Sequence, residues 1–209
     1  MPGLYIISGC NGSGKTTSSY SLLPELLECR QYVNSDEFAK SLSPYNPSAA
    51  SLKAGRFMLM KIKYLMDSGQ TFGIETTLAT RTLTKLVSRA QAKGYEVTVL
   101  YFWLSSPQMA IERVRKRVAS GGHNIPEEVI KRRYYMGLEY LFDTYIPICD
   151  HWILADNSTM PFTVIAQGNR GEQPIIKDVR KYEIIRTITE SARKLSDENS
   201  KISEEEAIE

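Results

Sequence analysis

Gly9-Cys10-Asn11-Gly12-Ser13-Gly14-Lys15-Thr16 has the pattern Gly-x-x-x-x-Gly-Lys-Thr of a phosphate-binding loop. It follows an apolar run, Leu4–Ile7, and precedes a segment that can form a helix, Thr17–Leu27. In that strand–loop–helix order the glycines let successive backbone N–H groups curl around an anion at a helix N-terminus. We expect Lys15 to reach the β- and γ-phosphates of a nucleotide and the Thr16 hydroxyl to bind Mg²⁺. The predicted nucleotide-binding residues are Gly9, Asn11, Gly12, Ser13, Gly14, Lys15, Thr16 and Thr17.

Short apolar runs alternate with helix-length segments along the rest of the chain, which is the order of a wound, mainly parallel sheet. Segment 96–104 is the most apolar and β-prone, and we expect a central strand buried on both faces. We predict a three-layer α/β P-loop NTPase fold of the small-molecule kinase type, with helices on both faces of the sheet and residues 1–195 in one domain. The predicted strands are 4–8, 31–34, 71–75, 96–104, 151–155 and 162–168, the last in a hairpin. The predicted helices are 15–28, 48–68, 80–94, 107–119, 127–145 and 181–195.

Composition predicts a globular, cytoplasmic protein. Of the 209 residues, 42% are hydrophobic and 24% are charged, and no apolar run approaches the roughly 20 residues that span a bilayer. Because the predicted first strand begins at residue 4, we expect no signal peptide. The three cysteines have no metal-type spacing, and we expect Cys10 only to fill a variable position of the loop.

The net charge of +2 is unevenly distributed. Six acids and one lysine lie in the last thirteen residues, Asp197–Glu209, and we predict that 196–209 form an acidic, disordered tail. The remaining residues include 25 basic and 18 acidic side chains, a net charge of +7. This excess suits small anionic molecules and is too weak to indicate nucleic acid.

Two classes of P-loop protein are excluded by motifs that the sequence lacks. A guanine-specific switch needs an Asn-Lys-x-Asp base reader, which does not occur. An ABC-type ATPase has a Ser-Gly-Gly signature, which Ser120–His123 resembles, but the apolar strand ending in Asp-Glu does not follow. The remaining class, a small-molecule kinase, needs a base, cationic groups and a lid that excludes water.

Polar residues follow the second and third predicted strands, at the sheet edge where ligands bind in open α/β folds. Asp36 is the candidate base that accepts a proton from an attacking hydroxyl, or else a helix cap. Glu75 could hold acceptor hydroxyls or a metal-bound water, or else be a solvated strand end. Thr77 is its expected companion on the acceptor side, although these threonines could equally be turn residues.

A basic segment predicts an arginine-bearing lid at about 117–133, with a glycine pair, Gly121-Gly122, between two helices. We assign phosphate contacts to Arg117 and Arg133, since a guanidinium stays charged and forks onto phosphate oxygens; a solvated helix face is the alternative. His123 is expected to shape the lid.

Two further groups complete the candidate residues. Arg113 and Arg115 are expected mainly as solvated charges on the same basic segment. Asp156-Asn157-Ser158, after the fifth strand, either contacts adenine or forms a turn.

In this order the motifs resemble the zeta-toxin family of P-loop kinases, especially its short stand-alone bacterial branch. The resemblance covers about residues 3–170. It rests on Gly9–Thr17, Asn34-Ser35-Asp36, Ala54-Gly55-Arg56, Glu75-Thr76-Thr77-Leu78, Arg117–Pro126 and Arg132-Arg133-Tyr134.

The resemblance implies phosphorylation of a hydroxyl that depends on ATP and Mg²⁺. Toxins of this family phosphorylate a sugar hydroxyl of UDP-N-acetylglucosamine and are held inactive by a small antitoxin. By motif position, the implied roles are Lys15 as the phosphate-binding lysine, Asp36 as the catalytic base, Glu75 and Thr77 in the acceptor site, and Arg117 and Arg133 as lid arginines.

The departures from the family pattern lie on the acceptor side. Where the toxins have an arginine soon after the aspartate, this chain has Glu37-Phe38-Ala39-Lys40, and Arg81 comes later than the arginine after the family's glutamate. Nicotinamide dinucleotides and other small metabolites therefore stay open as acceptors. A nucleotide-gated binding module and a polynucleotide 5′-kinase are further alternatives, although no extended basic stripe supports the latter.

Overall fold

The computed structural model describes residues 1–122 and 124–206, and a seven-stranded sheet runs through it. The strands are β1 (Gly3–Ser8), β2 (Tyr32–Val33), β3 (Phe72–Thr76), β4 (Glu96–Trp103), β5 (His151–Asp156), β6 (Thr163–Asn169) and β7 (Ile175–Ile176). Their order across the sheet is β2-β3-β1-β4-β5-β6-β7. The first five are parallel neighbours, and β6 and β7 pair antiparallel. The mainly parallel sheet and the hairpin strand are therefore confirmed, whereas β7 was not predicted.

The helices are α1 (Lys15–Leu26), α2 (Ser35–Leu42), α3 (Ser51–Asp67), α4 (Thr84–Ala92), α5 (Pro107–Ala119), α6 (Glu127–Tyr140) and α7 (Val179–Glu206). A short 3₁₀ turn at Pro47–Ala50 leads into α3, and Asn46 caps it by accepting a hydrogen bond from Ala49 N at 3.4 Å. A π-helical turn at Leu141–Tyr145 continues α6. Pro24 lies within α1, near its end.

Strand β4 is buried on both faces, as its apolar sequence predicts. Val99 and Tyr101 face a large apolar cluster shared with α3 to α7, while Leu100 and Phe102 face a smaller cluster shared with α1. Helices therefore cover both faces of the sheet, and the parallel strands are shielded as such sheets require. The predicted three-layer α/β fold is confirmed.

Helix α4 begins at Thr84, whereas the sequence predicts a helix over 80–94. The chain turns sharply first, because Leu78 has a positive φ of 58° and the hydroxyls of Thr80 and Thr82 pair at 2.8 Å. Residues 80–83 form a turn instead of helix. This turn brings threonines to the edge of the sheet beside β3.

Helix α7 is longer than predicted at both ends. It begins at Val179 and runs to Glu206, so residues 196–206 of the predicted disordered tail are helical. Glutamate and lysine are good helix formers, and extending an existing helix needs no new nucleation. Residues 207–209 of that tail lie outside the described residues. Across residues 1–122 and 124–206, no helix has the length and apolar character needed to cross a bilayer.

Candidate active site

The phosphate-binding loop joins β1 to α1. Gly12 and Gly14 have positive φ angles of 81° and 83°, a conformation that favours glycine. Helix α1 starts at Lys15, and none of the described side chains caps its N-terminus. Its first-turn N–H groups therefore face the loop and are available to an anion. The buried Ser13 hydroxyl has no hydrogen-bond partner among the described residues, which fits a loop that a ligand completes.

Lys15 is held inside this loop. Its side chain is buried, and Nζ donates to Gly9 O at 2.9 Å and to Cys10 O at 2.8 Å. Burial lowers the pKa of Lys15, and the charges of Glu75 and Asp36 oppose that shift. A bound triphosphate would favour the ammonium form in the same way as these two carboxylates do.

Cys10 packs beneath the loop, as expected. It is buried, and burial raises the pKa of its thiol to about 11, so the thiol stays protonated at neutral pH. Cys29 and Cys149 are also free and buried.

Asn157 and Arg113 hold the loop from the outside, a role that the sequence did not assign to either. Asn157 Nδ2 donates to Ser13 O at 2.7 Å, and a Cβ on Gly14 would lie under 3.0 Å from that nitrogen. Arg113 donates to the backbone oxygens of Asn157 and Ser158 at 2.9 and 2.8 Å. The segment after β5 is therefore a support for the loop. Its position at the end of a central strand was the sequence signal for this role.

A cleft of about 400 Å³ opens beside the loop, at the carboxyl ends of β1 to β3. Two cations and two carboxylates meet there, and hydroxyl and amide groups form most of the remaining wall. The charged lining residues are Lys15, Asp36, Glu75 and Arg133. The neutral polar ones are Asn11, Asn34, Ser35, Thr76, Thr77, Thr80 and Thr82, and the apolar ones are Met58, Leu83 and Ile125.

Asp36 lies in the first turn of α2 with an exposed side chain on the cleft wall. The alternative, that Asp36 caps this helix, is wrong. Asn34 is the cap, since its Oδ1 accepts from Asp36 N at 2.8 Å and from Glu37 N at 3.4 Å. The Asp36 carboxylate is thus left to the cleft, where its charge opposes the lowering of the pKa of Lys15 and of Arg133 that burial causes. Its role as the base stays a prediction.

Glu75 is not a solvated strand end. Its Oε2 accepts hydrogen bonds from Thr16 Oγ1 at 2.9 Å, from Asn34 Nδ2 at 2.9 Å and from the Tyr32 hydroxyl. Glu75 therefore bridges the phosphate-binding loop and β2, and neither Tyr32 nor Asn34 was named as a site residue from the sequence. Thr77 lies on the cleft wall as expected, and its acceptor role stays a prediction.

The residues around Thr16 fit Mg²⁺. The Thr16 hydroxyl and the Glu75 carboxylate are in hydrogen-bond contact at the mouth of the loop. Mg²⁺ takes hard oxygen ligands and is usually held by one or two protein groups together with substrate phosphates. Thr16, with Glu75 next to it, would hold the ion at this point.

Arg133 is the one of the two predicted lid arginines that lies on the described cleft wall. Its Nη1 donates to Asn11 Oδ1 at 2.9 Å, and burial lowers the pKa of Arg133. Arg117 is exposed near the end of α5, outside the cleft lining, but its charge reaches far enough to lower the pKa of Lys15. His123 lies outside the described residues. Arg115 pairs with Glu127 at the surface, in keeping with a solvated charge.

Comparison with known proteins places the chain in a family. A family model described as Zeta toxin matches residues 1–144. An uncharacterized protein of Haemophilus influenzae is 30% identical over 126 residues, which are 60% of this chain and 88% of that protein.

Solved structures share the fold at lower identity. The AvrRxo1-ORF1:AvrRxo1-ORF2 complex with sulphate ions gives a TM-score of 0.71 at 17% identity, and the complex with ATP gives 0.69 at 18%. Both alignments cover 88% of this chain but 63% of the other, so the chain spans less than two thirds of those relatives. The PezAT toxin–antitoxin system of Streptococcus pneumoniae gives 0.63 at 15% identity, covering 95% and 87%. The chain therefore belongs to the Zeta toxin family and has the fold of the P-loop kinases.

Proposed function

We propose that the protein is a kinase that transfers the γ-phosphate of ATP, with Mg²⁺, to a hydroxyl of a small molecule. The observation that carries the proposal is the position of Asp36 and Glu75 in one cleft that opens onto the phosphate-binding loop. A loop alone would serve any nucleotide-binding protein. Two carboxylates on the wall of a cleft of about 400 Å³ beside the loop provide room and chemistry for an acceptor.

The donor half of the site consists of the loop and the start of α1. Backbone N–H groups of the loop and the first turn bind the phosphates, and Lys15 moves from its two loop carbonyls to the β- and γ-phosphates. Thr16, with Glu75 beside it, would hold Mg²⁺. The bound ion would supply positive charge that offsets the negative charge developing on the phosphates during transfer.

The acceptor half consists of Asp36, Arg133 and the polar wall of the cleft. Asp36 takes the proton from the acceptor hydroxyl while the oxygen of that hydroxyl attacks the γ-phosphorus. The bond between the γ-phosphorus and the β–γ bridging oxygen breaks, and ADP leaves. Arg133 stabilises the negative charge on the transferred group, and Arg117 would join it when the lid closes. Thr77 and Glu75 orient the acceptor.

A nucleotide sugar, UDP-N-acetylglucosamine, is our first candidate acceptor. Family membership supports it, and a wall of hydroxyl and amide groups suits a sugar ring. The arginine that is absent after Asp36 counts against an acceptor bound as in the toxins. A dinucleotide or another hydroxylated metabolite is therefore the alternative.

We further propose an antitoxin partner and a cytoplasmic site of action, where ATP is available. The AvrRxo1-ORF1 relative was solved in complex with AvrRxo1-ORF2, and the PezAT relative is a toxin–antitoxin system. Controlled expression of the wild type beside Lys15→Ala tests toxicity. Growth arrest by the wild type alone supports the proposal, whereas equal growth of both strains contradicts it.

Mass spectrometry identifies the acceptor. The protein is incubated with MgATP and a panel of nucleotide sugars, dinucleotides and small polyols, with Lys15→Ala as the inactive control. A product heavier by one phosphate, formed only by the wild type, supports the kinase and names its substrate. ATP hydrolysis without a phosphorylated product from any member of the panel would favour a nucleotide-gated module instead.

A further inference from the structure

We propose that Tyr32, together with Asn34, is a positioning residue that aims the Glu75 carboxylate at the Mg²⁺ position beside Thr16. The inference rests on the proposed function, since it concerns the metal-binding half of the same site. Asn34 is part of the cleft wall, whereas Tyr32 is not among the described residues that line it. Both would act through Glu75.

Three donors converge on a single oxygen of Glu75. Oε2 accepts from the hydroxyls of Tyr32 and Thr16 and from the Asn34 amide. The other oxygen, Oε1, has one contact among the described residues, with Thr16 Oγ1 at 3.2 Å. The three partners come from β2, the N-cap of α2 and the first turn of α1, and together they fix the rotation of the carboxylate. Oε1 is then the oxygen with lone pairs free for a metal ion or its bound water.

The sheet places the Tyr32 hydroxyl at this point. Tyr32 on β2 lies opposite Gly73 on β3, and Gly73 and Glu75 share a face of the sheet because they are two residues apart. Gly73 has no side chain there: a Cβ would lie 3.4 Å from the Tyr32 ring and 3.0 Å from Leu23. The ring can therefore cross the space above Gly73 to reach Glu75. Tyr20 packs against it edge-on, with ring centroids 6.3 Å apart.

The Tyr32 hydroxyl can act only as a donor toward Glu75. An ionised carboxylate offers only acceptor oxygens, so the hydrogen of this contact comes from the tyrosine hydroxyl. An aspartate or phenylalanine at this position could not replace that donor.

Asn34 uses both ends of its amide. Oδ1 caps α2, the helix that carries Asp36, while Nδ2 donates to Glu75. One buried side chain thus fixes the base-bearing helix relative to the metal side of the site. Partners that orient metal ligands typically contribute 10–100-fold to metal affinity or activity, and we expect effects of this size.

The test uses three variants of the full chain. Tyr32→Phe removes the hydroxyl and keeps the ring. Asn34→Asp keeps the helix cap, because aspartate caps as well as asparagine, but it replaces the donor with an acceptor. Tyr95→Phe is the matched control, since its hydroxyl donates to Leu65 O at 3.0 Å and Gln70 O at 2.9 Å, away from the cleft.

Binding of a fluorescent ATP analogue is measured without any acceptor while Mg²⁺ is titrated. We expect the half-saturating Mg²⁺ concentration to rise about 10-fold or more in Tyr32→Phe and in Asn34→Asp, and to stay unchanged in Tyr95→Phe. Urea midpoints of Tyr32→Phe and Tyr95→Phe should be similar, so that lost stability does not account for the difference.

Wild-type Mg²⁺ dependence in Tyr32→Phe would overturn the inference. If Tyr32→Phe does not fold, Asn34→Asp decides alone, and wild-type behaviour there would overturn it equally. Failure of the proposed function looks different, because the wild type itself would then bind no ATP or would phosphorylate no acceptor.

Discussion

Gly14→Ala should destabilise the protein by an amount that depends on Asn157. Gly14 has a φ of 83°, and an alanine in this left-handed region costs about 1–2 kcal/mol. The new Cβ would also lie under 3.0 Å from Asn157 Nδ2, so the amide must move and give up its 2.7 Å bond to Ser13 O. Losing a buried hydrogen bond of this kind costs about 1–3 kcal/mol. The total for Gly14→Ala is therefore about 2–5 kcal/mol.

A double-mutant cycle separates the two contributions. In Asn157→Ala the obstructing amide is absent, so adding Gly14→Ala should cost only the strain of about 1–2 kcal/mol. The coupling free energy between the two positions is then about 1–3 kcal/mol. Urea unfolding of the wild type, both single variants and the double variant measures it.

Gly69→Ala is the matched control for the strain alone. Gly69 also has a positive φ, 63°, but a Cβ there would meet nothing within 4 Å. It should cost about 1–2 kcal/mol in either background and show no coupling with Asn157. Equal costs of Gly14→Ala with and without Asn157 would refute the conclusion that this asparagine packs on the phosphate-binding loop.

Three further predictions concern α6, the lid and the far end of the sheet. Gly137→Ala should destabilise by about 1–3 kcal/mol in thermal unfolding, although alanine usually favours a helix, because its Cβ would lie 2.7 Å from the Tyr101 hydroxyl. Arg133→Ala should lower turnover on the order of 10³-fold with ATP affinity retained. Arg132→Ala, at the exposed neighbouring position, should leave turnover unchanged. A hydrogen bond with Glu96 is the largest cause of the raised pKa of His151, and a hydrogen bond with Asn169 is the second. The contribution of this contact to the free energy of unfolding should be fully present below about pH 6.5 and should be lost as the pH rises through the raised pKa. The unfolding midpoints of the wild type and His151→Asn should therefore converge at high pH.

The parts of the fold that were predicted from the sequence are those set by local pattern. The loop, its flanking strand and helix, and the buried β4 are each encoded within about ten consecutive residues. The predicted start of α4 was wrong because Thr80 resembles a helix cap. The positive φ at Leu78 instead produces a turn, which no residue propensity indicates. Strand β7 has two residues and forms only because β6 is already there to pair with.

The candidate site also contains residues that local sequence predicts and one contact that depends on how the strands pair. Asp36, Glu75 and Arg133 were placed in the cleft from strand ends and the basic segment, and the structure puts all three on its wall. Tyr32 could not be found this way, since its contact with Glu75 depends on the register between β2 and β3 and on the space above Gly73. These are properties of paired strands about 40 residues apart in the chain.

The most direct test of the proposed kinase compares single-turnover phosphoryl transfer by the wild type and Asp36→Asn, at saturating MgATP and the acceptor found in the panel. We expect the rate to be about 10²–10⁴-fold lower in Asp36→Asn, with ATP affinity retained, because the amide cannot accept the proton of the attacking hydroxyl. Equal transfer rates would contradict it.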